Sequence, residues 1–195
     1  MKGRESIRNV YKAAVVGASA GGMTAIGKLL HLLPERFSPA VIVVQHLMSS
    51  EKGYLAGYLN DRCTLPVKEV EDKEKCRPGH VYLAPANYHL LIEKDETFSL
   101  SIDTLVNYSR PSIDVVFESA ARVWFSRLIG IILTGANHDG TEGMKYIRDF
   151  GGFTIAQDPS TAESPVMPRS AIEAGVIERV MSVEKIGEFL MRLQG

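Results

Sequence analysis

The chain has 195 residues, 45% hydrophobic and 23% charged, with a formal net charge of −1; that length suits an ordinary core, and the balance offers no electrostatic case for nucleic acid. Its cysteines, Cys63 and Cys76, form no Cys-x-x-Cys pair, so neither a disulfide framework nor a zinc site is expected. No apolar run approaches the roughly 20 residues of a bilayer span and no signal-peptide core opens the chain, so no direct membrane insertion is expected and the expected location is cytoplasmic.

The basic residues Lys2, Arg4, Arg8 and Lys12 are mixed with Glu5 and read as a solvated tail over 1–12, ahead of one domain at 13–195. An apolar run at 13–17 enters Gly17-Ala18-Ser19-Ala20-Gly21-Gly22, after which Met23, Ile26, Leu29, Leu30 and Leu33 recur at helical spacing until Pro34. This predicts a strand, a tight turn and a helix. The serine has a glycine two residues away on either side, the spacing of a G-x-S-x-G nucleophile elbow beside the free N–H groups of a helix N-terminus. The same turn would also suit a dinucleotide pyrophosphate, or be only a turn.

Next come a strand at 40–45 ending in Gln45-His46, a helix at 52–61, a strand at 80–84, and a hairpin of 89–93 and 98–102 around Lys94-Asp95-Glu96-Thr97. Ile113, Val116, Phe117, Ala120, Val123 and Trp124 form a helical stripe, with Ser112 as N-cap and Asp114 in the first turn. A strand at 128–134 leads into Thr134-Gly135-Ala136-Asn137-His138-Asp139-Gly140. Helices at 140–150, 168–174 and 184–193 and strands at 153–156 and 176–180 complete the pattern. Consecutive apolar residues such as Val41-Ile42-Val43-Val44 suit parallel strands covered on both faces. The expected fold is α/β, a doubly wound, mostly parallel, Rossmann-like sheet with an antiparallel hairpin.

In such sheets function collects beyond the carboxyl ends of the strands. Those ends carry Ser19, His46 and Asp139, the residue types of a nucleophile, a base and its orienting acid. Each also has a plainer reading: His46 as the polar end of a buried strand, Asp139-Gly140 as a turn or helix cap. Their joint occurrence favours a hydrolase. A dinucleotide site would want an acid where Gln45-His46 stands, and the order Ser, His, Asp differs from that of the α/β-hydrolases.

The blocks Val16-Gly17-Ala18-Ser19-Ala20-Gly21-Gly22, Val44-Gln45-His46, Gly79-His80-Val81-Tyr82-Leu83-Ala84-Pro85-Ala86 and Ser109-Arg110-Pro111-Ser112-Ile113-Asp114 continue through Ile132-Leu133-Thr134-Gly135, Asp139-Gly140, Gly143-Met144, Ala156-Gln157-Asp158 and Met167-Pro168. Together they resemble the catalytic domain of the chemotaxis receptor methylesterase family, the CheB-type protein-glutamate methylesterases that also deamidate glutamine. The resemblance puts the nucleophile on Ser19, the base on His46 and the acid on Asp139. It implies a serine hydrolase that removes methyl esters from glutamates of a methylated, chemoreceptor-like helical protein in bacterial signal adaptation, with no metal or organic cofactor. A glutamine deamidase with the same triad and a catalytically weak receptor-binding module are the alternatives.

Backbone N–H groups at Ala20 and in the Gly135, Ala136, Asn137 loop are the expected oxyanion donors. Arg110 and Thr134 are expected to face substrate. The chain departs from the family pattern at Ala136 (a methionine in the family), His138 (asparagine) and Ala20 (serine or threonine). The family's N-terminal receiver domain has no counterpart in the few residues before 13, so control by a regulator on a separate chain, or none, is expected. His138 is the rival base, and Asp139→Asn is expected to leave the fold intact.

Overall fold

In the computed structural model, which describes residues 11–46 and 53–193, the chain runs β1 (Ala13–Ala18), α1 (Gly22–His31), β2 (Ala40–Gln45), α2 (Tyr54–Asn60), β3 (Val67–Glu69), β4 (Val81–Leu83), β5 (His89–Ile92) and β6 (Phe98–Ser101). It continues with α3 (Ile113–Trp124), β7 (Leu128–Ile132), α4 (Thr141–Asp149), β8 (Phe153–Gln157), α5 (Val166–Glu173), β9 (Arg179–Met181) and α6 (Val183–Arg192). Seven strands form one sheet in the order β3-β4-β2-β1-β7-β8-β9. Every neighbouring pair in it is parallel, and β5 and β6 make a separate antiparallel ribbon.

The central strands β1, β2 and β7 are buried at every position because both faces are covered. In β1, Ala13 and Val15 join the core under α3, α4 and α5, while Ala14, Val16 and Ala18 join the one under α1, α2 and α6. The α3 stripe is buried at Ile113, Val116, Phe117, Ala120, Ala121 and Trp124, and each large side chain there contributes roughly 1.5–3 kcal/mol of burial. Val123 lies only at its margin, and Ala121 takes the buried position instead.

Several boundaries differ from the sequence expectation for local reasons. The segment β3 was not expected: it is three residues long and carries Lys68 and Glu69 at the sheet's edge, where charge discourages further pairing. The last strand lies at Arg179–Met181 rather than 176–180, because Val176 and the Thr154 hydroxyl bond to each other first. Helix α5 starts two residues before Pro168; a proline is tolerated in a first turn, where its missing N–H would have no partner anyway. Residue 52, the expected start of the second helix, lies outside the described residues. Among the described residues, no helix is long and apolar enough to cross a membrane.

Strand order reverses between β1 and β7. From β1 the chain moves outward to β2 and on to the edge strand β3 before β4 fills the position between them, and from β7 it runs the other way through β8 and β9. The crevice at the carboxyl ends of these strands is the position where ligands bind in open α/β sheets.

Candidate active site

Sheet register assembles the site. Ala18 pairs with Gln45 at the ends of β1 and β2, so Ser19 and His46 each lie one residue beyond a paired strand end. The ladder extends into the turns: the His46 N–H donates to Ala18 O at 3.2 Å, and the Ser19 N–H to Thr134 O at 2.9 Å. The strand β7 pairs with the other edge of β1, which brings the 134–140 loop alongside both.

The serine turn differs from a strained elbow. Ser19 has no positive φ, and the left-handed residue is Gly21, with φ 76°, at the N-cap of α1. Gly17 is required for a different reason. A Cβ there would lie 2.5 Å from Ile113 Cγ2, so its absence lets the first turn of α3 approach β1. That approach carries the backbone donors that hold Asp139.

His46 bridges the other two residues. Its Nδ1 lies 3.2 Å from Ser19 Oγ and its Nε2 2.9 Å from Asp139 Oδ2. Asp139 is fully buried, while the His46 side chain is 14% exposed, so the site opens toward solvent on the serine side. Besides the imidazole, Asp139 accepts from the Ile113 N–H at 2.6 Å, Ser112 Oγ–H at 2.9 Å, Asn107 Nδ2 at 2.9 Å and the Asp114 N–H at 3.2 Å. Burial alone would raise its pKa. The hydrogen bonds from His46, Asn107, Ile113 and Ser112 outweigh that and hold the carboxyl below the usual carboxylate range. An ionised Asp139 is acceptor-only, so His46 carries its proton on Nε2, and Nδ1 presents its lone pair to the serine hydroxyl. Such a pair can deprotonate Ser19 during attack on a carbonyl.

Asp139 also caps a helix, though not the one that follows it. Its oxygens take the first N–H groups of α3, and Ser112, the expected N-cap, makes no side-chain cap and donates its hydroxyl to Asp139 instead. Asp114 returns the arrangement by accepting the Gly143 N–H of α4 at 2.7 Å. Asn107, in a left-handed turn at φ 51°, donates through Nδ2 to Asp114 Oδ2 at 2.7 Å as well as to Asp139. Burial, together with the charge of Asp139, raises the Asp114 carboxyl from its ordinary 3.8 to about 6, against the lowering bonds from Gly143, Asn107 and Gly140.

The remaining expected residues take other positions. Thr134 is 1% exposed and so presents nothing to a substrate. Its Oγ1 bonds to Ala20 O at 2.8 Å and accepts the Ser164 N–H at 2.9 Å, tying the nucleophile turn to the 162–165 loop. Arg110 sets Nη1 on the carbonyls of Ile102 and Asp103 at 2.7 and 2.8 Å, which are the contacts of a loop anchor rather than of an arginine facing substrate. The Gly135 N–H is occupied by Ser164 O at 2.9 Å and is no oxyanion donor. The N–H groups of Ala20, Ala136 and Asn137 have no acceptor among the described residues, and Ala20 and Ala136 are exposed.

His138 faces Ser170 Oγ at 2.7 Å; that hydroxyl donates to Val166 O, so the imidazole is its donor. This orients His138 away from Asp139. Asp158, the other acid near a strand end, accepts from Ser160. Among the described residues, no His, Cys, Asp and Glu cluster could hold a metal ion.

Sequence reasoning missed Gln45, Asn107 and the reciprocal role of Asp114. Gln45 Nε2 donates to Ser19 O at 2.9 Å and His46 O at 3.0 Å, clamping the two turns together. Its one signal was a polar residue at the inner end of an otherwise apolar strand.

The sequence model of the CheB methylesterase family matches residues 14–190. Two relatives from Leptospira interrogans strains, provisionally named protein-glutamate methylesterase/protein-glutamine glutaminase, are 51% identical over 183 residues, covering 94% of this chain and 95% of theirs. A protein of that name from Symbiobacterium thermophilum is 36% identical across 94% of this chain and 51% of its own length. The crystal structure of the Thermotoga maritima CheB methylesterase catalytic domain superimposes with a TM-score of 0.90 at 36% identity, covering 94% of this chain and 98% of that one. A parallel sheet with serine, histidine and aspartate gathered at its switch point, and matches over nearly the whole chain, lead to one conclusion: the chain belongs to the CheB methylesterase family.

Proposed function

We propose that this protein hydrolyses γ-methyl esters of glutamate side chains on methyl-accepting chemoreceptor proteins, with Ser19 as nucleophile, His46 as general base and acid, and Asp139 as the orienting acid. The observation that carries the reading is the unbroken chain Ser19 Oγ, His46 Nδ1, His46 Nε2, Asp139 Oδ2, with contacts of 3.2 and 2.9 Å. Ser19 Oγ attacks the ester carbonyl as its proton passes to His46 Nδ1. The ionised, five-fold bonded Asp139 stabilises the imidazolium without taking its proton. Collapse of the tetrahedral intermediate expels methanol with the Nδ1 proton, and water deprotonated by the same nitrogen releases the glutamate.

The N–H groups of the exposed residues Ala20 and Ala136 are the backbone donors for the oxyanion. Glutamine deamidation uses the same steps with ammonia leaving, and the double name of the relatives supports testing it beside the ester. The deciding experiment measures methanol release from a methylated receptor fragment, and ammonia release from its glutamine counterpart, by wild type and Ser19→Ala. Wild-type release of methanol abolished in Ser19→Ala is the expected result. A fully active Ser19→Ala refutes the nucleophile.

A further inference from the structure

Asn137 lies two residues before Asp139 in the loop after β7 and is half-buried. Its amide is oriented by the Asp139 N–H, which donates to Oδ1 at 3.2 Å, so the atom 3.2 Å from His46 Nδ1 is the donor Nδ2. Ser19 Oγ stands at the same 3.2 Å from that nitrogen. With the imidazole proton on Nε2, Nδ1 has one in-plane lone pair, and two donors aim at it.

We infer that the Asn137 side-chain amide is a catalytic oxyanion donor, resting on the base in the free enzyme and released to the substrate oxygen by the proton transfer itself. The inference rests on the proposed function above. When the Ser19 Oγ–C bond forms, the carbonyl π pair becomes an oxyanion and the serine proton moves to Nδ1. Nδ1 then has no lone pair to offer, so the Asn137 N–H loses its acceptor at the moment a stronger one appears beside it. When the C–OCH3 bond breaks, the Nδ1 proton leaves with methanol and the lone pair returns to receive the amide. The bond to the oxyanion thus exists only in the charged intermediate and the transition states flanking it, the kind of interaction that raises kcat.

The backbone supply leaves room for such a donor. The N–H groups of Ser19 and Gly135, on either side of the cleft, are already bound to Thr134 O and Ser164 O. A side-chain amide reaches inward from the same loop without disturbing those bonds.

The test compares kcat and KM for methanol release from a methylated receptor fragment among wild type, Ser19→Ala, Asn137→Ala and Asn137→Asp, together with inhibition by phenylboronic acid, which forms a tetrahedral anion on a serine Oγ. Asn137→Asp keeps the acceptor for the Asp139 N–H but has no N–H to give. Both Asn137 variants should lose about 100-fold or more in kcat, as for other single oxyanion donors, with KM little changed and boronate affinity falling in parallel. Recovery of the Asn137→Ala loss by Asn137→Asp would make the side chain a purely structural turn former and overturn the inference, as would a loss carried by KM. An active Ser19→Ala overturns the proposed function itself, whereas an inactive Ser19→Ala beside an unimpaired Asn137→Ala overturns only the role of Asn137.

Discussion

Replacing Asp139 with asparagine removes one charge and turns an acceptor into a donor at a point where five donors converge. If the amide oxygen stays toward His46 and Ile113, the new NH2 faces Asn107 Nδ2, the Ser112 hydroxyl and the Asp114 N–H. The hydroxyl turns to accept and the amide of exposed Asn107 turns to water, but the Asp114 N–H is orphaned. In the opposite orientation the NH2 faces the Ile113 N–H and His46 Nε2. The imidazole then moves its proton to Nδ1, and the base is lost. Either orientation orphans one backbone donor, which costs about 1–3 kcal/mol, so Asp139→Asn should lose about 1–3 kcal/mol of stability in addition to the ~10⁴-fold fall in kcat known for this change in a serine protease. The sequence alone had suggested an intact fold; the capping of α3 by Asp139 replaces that expectation. Urea unfolding at pH 7.5 and methanol release measure the two effects. A variant that is inactive yet unfolds within about 0.5 kcal/mol of wild type, the usual scatter of neutral surface changes, would refute the structural half of this reasoning.

Gly22→Ala places a Cβ 1.9 Å from Gln45 Oε1 and 2.7 Å from Ala18 Cβ, so the Gln45 clamp on Ser19 O and His46 O must shift. Thermal denaturation should show a loss of about 1–3 kcal/mol, with reduced kcat; full activity would remove Gln45 from the positioning shell. His46→Ala should be nearly inactive and His138→Ala should keep most methanol release, because His138 serves Ser170; the reverse ranking overturns the triad. Asp114 titrates at about 6 in the folded protein against an ordinary 3.8. Its contribution to stability is therefore complete below about pH 4 and lost as pH rises through 6, by up to about 3 kcal/mol. Asp139, held low, contributes in the opposite sense, present above about pH 4 and lost as pH falls through its folded value. Asp114→Asn should flatten the decline between pH 4 and 7 in chemical unfolding, and parallel curves for variant and wild type would contradict the raised Asp114 carboxyl.

The chain by itself determined what depends on local chemistry and periodicity. Apolar runs such as 41–44 and 129–133 are those expected of strands covered on both faces, and their alternation with helical stripes argues for a doubly wound sheet. A serine, a histidine and an aspartate placed just after three such runs were therefore legible as neighbours at one sheet edge. Short elements were not: β3 has three residues and two charges, too few for a period to emerge.

Only the tertiary structure decided how these residues are held. Parallel register set Ser19 against His46, and the cross-capping of α3 and α4 depends on two helices whose N-termini meet although 26 to 29 positions separate the paired residues. Thr134 showed the same limit. In sequence it is the polar end of a strand beside the site, and in space its hydroxyl is folded inward onto Ala20 and Ser164. Which way a polar side chain turns is fixed by the partner it finds, because a buried donor without an acceptor costs more than most single contacts gain. Those partners come from distant segments of the chain, which no local pattern encodes.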